Sequence, residues 1–102
     1  MDVTLQYFEG CPNWKETAAH LDALKAEGLE ISVHRQLIET PEAAVEFGFR
    51  GSPSILIDGE DLFADREASV GLSCRVYMTD EGHAGSPTID QLRDALTATT
   101  QD

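Results

Sequence analysis

Cysteine and lysine are scarce in this chain: two of each in 102 residues, Cys11 and Cys74, Lys15 and Lys25. Two cysteines so far apart exclude a disulfide-dense scaffold, a C-x-x-C pair and a zinc knuckle, and in a reducing compartment they serve more readily as thiols than as a staple. No apolar run approaches the roughly 18 residues of a membrane span. The start, Met1-Asp2-Val3-Thr4, lacks a basic region followed by an apolar stretch, so a cytoplasmic location is expected. Positive charge is also in short supply. Seven basic residues face 19 acidic ones, a net charge of −12. Such a surface repels phosphate backbones and anionic lipid, so neither nucleic acid nor membrane is an expected partner. What is present is a 41% apolar fraction, evenly spread. That composition and length fit one folded domain over 1–102, with a tail fraying from about 98.

Periodicity orders the elements. Residues 3–8 are β-branched and aromatic and read as a strand. A helix follows over about 12–27, with Trp14, Ala18, Leu21 and Leu24 as its buried stripe and Gly28 as its cap. Residues 29–38 read as the second strand. Thr40-Pro41-Glu42 opens a short helix that stops at Gly48. Residues 54–59 read as a strand closed by a turn, 60–72 as a long loop, and 73–78 as the fourth strand. A Gly-rich turn covers 80–87. Thr88-Ile89-Asp90-Gln91 resembles a capping box and opens a last helix striped by Ile89, Leu92 and Leu96. The order β-α-β-α-β-β-α predicts an α/β fold with a four-stranded mixed sheet and helices on both faces.

Three features together resemble the thioredoxin-like superfamily in its minimal, glutaredoxin-like form. Phe8-Glu9-Gly10-Cys11-Pro12-Asn13-Trp14 lies where that family places a redox cysteine at a helix start. Gly51-Ser52-Pro53-Ser54-Ile55 resembles its Gly-x-Pro-Thr loop, whose proline is cis. The element order is similar as well. With Leu72-Ser73-Cys74-Arg75-Val76-Tyr77, these motifs look similar to small actinobacterial thioredoxin-like proteins, some of which carry the label alkylmercury lyase. The resemblance implies thiol–disulfide exchange. The family's usual C-x-x-C reads here Cys11-Pro12-Asn13-Trp14, with Trp14 in place of the resolving thiol, so the implied mode is monothiol. A low-molecular-weight thiol as cosubstrate, or a protein thiol or disulfide, is the expected partner; no other cofactor and no metal is expected.

Cys11 is the expected nucleophile. At a helix start the N–H groups of Asn13 and Trp14 can face its sulfur and depress its pKa, with Lys15 helping and Glu9 and Glu16 opposing. Its plain alternative is a small buried hydrophobe. Pro12, Asn13 and Trp14 support it. Trp14 either covers the thiol or simply heads the apolar stripe. Ser52 and Pro53 are expected to present backbone to a partner. Cys74 opens the expected fourth strand, roughly 20 Å from Cys11 at about 3.3 Å per residue, so a Cys11–Cys74 bridge needs a re-routed loop or partial unfolding. It reads as a strand cysteine, with resolution of a Cys11 adduct as its functional alternative. His83, Ser86 and Thr88 sit in the last turn. There Ser86 and Thr88 either hold a carboxylate at a helix start or only cap it, and His83 either serves Cys11 as a base or lies exposed. Two further classes stay open: a non-catalytic binding module on the same scaffold, and a soft-metal or mercurial binder using both thiolates.

Overall fold

The computed structural model describes residues 2–63, 71–72 and 75–99. The elements run β1 (Asp2–Tyr7), α1 (Trp14–Ala26), β2 (Ser32–Leu37), α2 (Pro41–Phe47), β3 (Ser54–Ile57), β4 (Glu60–Asp61), β5 (Tyr77–Thr79), β6 (Gly82–Ala84) and α3 (Ile89–Thr99). A four-stranded mixed sheet has the order β2-β1-β3-β4, and β5 and β6 form a separate hairpin. β1 is parallel to β2 and antiparallel to β3. The parallel pair follows from the connection, since α1 carries the chain back to the starting edge.

Alternation along β1 sends Val3 and Leu5 to one face, opposite Ile57 and Ile55 of β3. Ala18, Leu21 and Leu24 of α1 and Leu92 and Leu96 of α3 cover that face and complete the main core. The other face is more polar: Gln6 is buried there and donates to Gln36 Oε1 at 2.9 Å. Ile38 extends the β2 ladder through its N–H to the Tyr7 carbonyl at 2.8 Å, and by alternation it falls on this second face. It packs there with Ala44 of α2, Phe49 and Phe8, as a small cluster at the strand ends. α2 is thereby held beside the turn that leads from β1 to α1.

Local chemistry explains the helix ends. Thr40 Oγ1 accepts from the Ala43 N–H at 3.1 Å, Pro41 occupies the first turn, and Gly48 ends α2 at φ 62°. For α3, the Gln91 N–H donates to Thr88 Oγ1 at 3.1 Å, and the Thr88 N–H donates to Gln91 Oε1 at 2.9 Å. This is a reciprocal capping box. Thr88→Ala is expected to lower stability by about 1 kcal/mol. A urea midpoint that does not move would show that the box is redundant.

The fourth strand differs from the sequence expectation. Asp58 at φ 50° and Gly59 at φ 87° form a two-residue turn that returns β3 directly into β4. Residues 60–61, expected to open a long loop, therefore close the sheet. Among the described residues of the segment expected to be the fourth strand, Tyr77 and Met78 enter β5, which pairs with β6 inside the expected Gly-rich turn. Along that segment Arg75 and Tyr77 are buried, while Val76 and Met78 are exposed.

Candidate functional site

β1 ends at Tyr7 and the chain turns at once, the Cys11 N–H returning to the Phe8 carbonyl at 3.0 Å. Gly10 allows the Phe8 ring to lie across this turn; a Cβ at position 10 would stand 2.6 Å from that ring. The Lys15 N–H reaches back to the Pro12 carbonyl at 3.1 Å, and α1 proper begins at Trp14, two residues later than expected. Asn13 is helical in backbone but makes no side-chain cap. Its side chain lies against Gly85, where an added Cβ would fall 2.2 Å from Asn13 Nδ2.

Cys11 is disulfide-bonded and has 0% exposure. Its Sγ lies 3.6 Å from the Ser52 carbonyl oxygen. A disulfide sulfur carries no proton, so this is a van der Waals contact in the present state; a thiol at the same place can donate along the same line. The Ser52–Pro53 peptide bond is cis. Ser52 is buried, and its Oγ has no hydrogen-bond partner among the described residues. Two segments forty residues apart, the turn at Cys11 and the loop at Ser52–Pro53, thus meet at the sulfur.

Cys74 is the one other cysteine in the sequence, and it lies outside the described residues. The residues after it run along the same loop. The Arg75 N–H donates to the Ser52 carbonyl at 2.9 Å, and Tyr77 Oη donates to the Pro53 carbonyl at 2.5 Å. The expected separation of about 20 Å assumed a regular fourth strand over 73–78. Among the described residues of that segment, Arg75 and Val76 are not in a strand, and the Arg75 N–H is bonded to the carbonyl that touches Cys11.

Arg75 is the main feature that sequence reasoning missed. Its guanidinium is buried, which demands partners. It donates to Asp61 Oδ2 at 2.7 Å, to Ser54 Oγ at 3.2 Å and to the Phe63 carbonyl. It also sits 4.9 Å above the Tyr77 ring. Tyr77 packs edge-on against Phe63, and burial pushes its phenol pKa well above the ordinary tyrosine range. Gly51 makes this approach feasible. Its φ is 114°, and a Cβ there would lie 3.0 Å from Arg75 Cβ and 3.2 Å from Arg75 Cα. Gly51→Ala is therefore expected to cost about 1–3 kcal/mol from backbone strain alone. Chemical denaturation checks this, and an unchanged unfolding free energy would contradict the close packing.

The remaining candidates separate. Trp14 packs against the core, its ring 4.4 Å from that of Tyr7 with Arg35 5.2 Å above it. It heads the apolar stripe and also carries a cation on its face. Ser86 is buried and pairs with Thr17 of α1 at 2.6 Å, so it ties the last turn to the first helix. Thr88 caps α3. His83 is exposed on β6 and lines a groove of about 360 Å³ with Glu16, His20, Glu81 and Thr88; Cys11 does not line it. Among the described residues, no group of three or more His, Cys, Asp or Glu is arranged to hold a metal ion, and no helix is long and apolar enough to cross a membrane. No protein-family model and no curated protein matches the chain.

Proposed function

We propose that this protein is a thioredoxin-like thiol–disulfide exchanger that works through Cys11, with Cys74 as the second thiol. The observation that carries the reading is the disulfide at Cys11, formed in a chain with only one other cysteine. The thioredoxin-like topology belongs to the same proposal. It is supported by the strand order β2-β1-β3-β4, and by the approach of the cis Ser52–Pro53 loop to the cysteine at the β1–α1 turn. A second thiol alters the cycle expected from the sequence: a mixed disulfide formed at Cys11 need not wait for an external thiol.

The chemistry balances as a two-electron transfer. In the reduced protein the Cys11 thiolate attacks a disulfide R–S–S–R′, forming Cys11–S–S–R and releasing R′S⁻. The Cys74 thiolate then attacks the Cys11 sulfur, releasing RS⁻ and closing the protein disulfide. Two external thiols reverse this, becoming a disulfide as they return the protein to its dithiol form. A small thiol or a protein thiol in a thiol-rich cytoplasm supplies the partner that this cycle requires. In the reduced state the Ser52 carbonyl can accept the Cys11 S–H.

A second reading has its own observation. Cys11 is wholly closed to solvent, as a structural staple in a non-catalytic binding module would be. The two readings part in one experiment. Reduced protein is mixed with a small disulfide such as hydroxyethyl disulfide and followed by mass spectrometry. The exchange reading predicts a transient Cys11 adduct that resolves to the intramolecular disulfide, and a stable adduct in Cys74→Ser. The staple reading predicts no adduct while the protein is folded.

A further inference from the structure

We infer that the groove between the ends of β1 and β2 is the docking site for a protein partner of this exchanger: it takes one large apolar side chain from a segment in which that side chain is flanked by lysine or arginine. The inference rests on the exchange reading above and adds to it the chemical class of the partner.

The groove measures about 190 Å³ and is lined by Phe8 and Glu9, which follow β1, and by Leu37, Ile38 and Glu39 at the end of β2. Its lining is divided by chemistry. Ile38 is fully buried and forms the floor, while Phe8 and Leu37 are half-buried and form the walls. Glu9 and Glu39 are exposed and form the rim. The apolar part is held open by the fold. The Ile38 N–H is bonded to the Tyr7 carbonyl at 2.8 Å, and Ile38 packs with Ala44, Phe49 and Phe8. The Phe8 ring is fixed from its other side by the turn at Gly10. A site already shaped in this way spends little ordering entropy on binding.

The rim decides the occupant. A groove of this volume takes one anchoring side chain, the usual core of a protein contact. Two carboxylates beside that anchor repel an acidic flank and attract a basic one, and none of the described residues lining the groove is basic. The net charge of −12 extends the same preference over a longer range and disfavours a second copy of the chain. The groove also adjoins the exchange site. Glu9 lies two residues before Cys11, and the Phe8 carbonyl accepts the Cys11 N–H at 3.0 Å. A partner anchored here is held against the turn that carries Cys11.

The test uses the isotope-labelled protein in its disulfide form and a sulfur-free peptide, acetyl-Lys-Leu-Lys-amide, followed by NMR. Saturable shifts are expected at 8–9 and 37–39, weakening as salt is raised. Acetyl-Lys-Ser-Lys-amide should bind about tenfold more weakly, from loss of the apolar anchor. Glu9→Gln and Glu39→Gln, both at exposed positions, should each weaken the leucine peptide about threefold. Acetyl-Glu-Leu-Glu-amide should not bind. Equal binding of the serine peptide would mean unspecific attraction to an acidic surface and would overturn the inference. So would shifts confined to other residues, equal binding of the Glu-flanked peptide, or equal binding of uncharged N-acetyl-leucinamide. Shifts at the same residues that grow with protein concentration alone would assign the groove to a second copy and would overturn it too. Because the peptides carry no sulfur, each of these failures leaves the exchange reading standing. That reading is decided by the hydroxyethyl disulfide experiment.

Discussion

Cys11→Ser is expected to abolish disulfide exchange and also to lower stability under oxidising conditions by about 2–4 kcal/mol. The two losses have different origins. Exchange fails because serine cannot form the mixed disulfide. Stability falls because the disulfide at Cys11 constrains the unfolded chain, and its removal restores that conformational freedom. Reduced wild-type protein should lose the same stability as the variant and keep its activity. Denaturant melts of both forms, read beside an exchange assay, separate the effects. Exchange that survives in Cys11→Ser would refute the assignment of the nucleophile.

Leu21→Ala should have the largest effect on folding alone, about 2–5 kcal/mol. Leu21 is fully buried on the face of α1 that meets Leu5, Ile55 and Leu92 through the main core, so truncation leaves a cavity bounded by sheet and both long helices. The loss should be cooperative and seen equally by circular dichroism and tryptophan fluorescence, because Trp14 packs on the same cluster. A loss below about 1 kcal/mol would mean that the cluster relaxes around the gap. Phe49 offers a contrast, since it belongs to the small second cluster with Ile38 and Ala44.

Much of this architecture was legible residue by residue. The alternation in β1, the stripe on α1, Thr40-Pro41 with Gly48 around α2, and the Thr88–Gln91 box each depend on local chemistry, and each appears where that chemistry predicts. The meeting of Cys11 with Ser52–Pro53 came instead from resemblance; no local rule brings two such distant segments together. The fourth strand escaped for a physical reason. β4 is only Glu60–Asp61, an acidic pair with no strand preference of its own, and the Asp58-Gly59 turn creates it.

The facing of 75–78 was hidden more deeply. Val76 and Met78 offer the apolar alternation, yet Arg75 and Tyr77 are the residues that turn inward. A buried arginine pattern is invisible in a sequence, because its acceptors, Asp61, Ser54 and the Phe63 carbonyl, come from other parts of the chain. The same holds for the Arg75 N–H, whose acceptor, the Ser52 carbonyl, belongs to a loop far away in the sequence.

The most direct test of the account is the redox equilibrium of the protein disulfide in graded thiol buffers, read by thiol labelling and mass spectrometry on the folded protein. The account predicts a reversible two-electron transition with a midpoint between about −200 and −270 mV, the range spanned by thioredoxin and the glutaredoxins. A midpoint below about −300 mV, with reduction only as the chain unfolds, would contradict it and mark the disulfide as a staple.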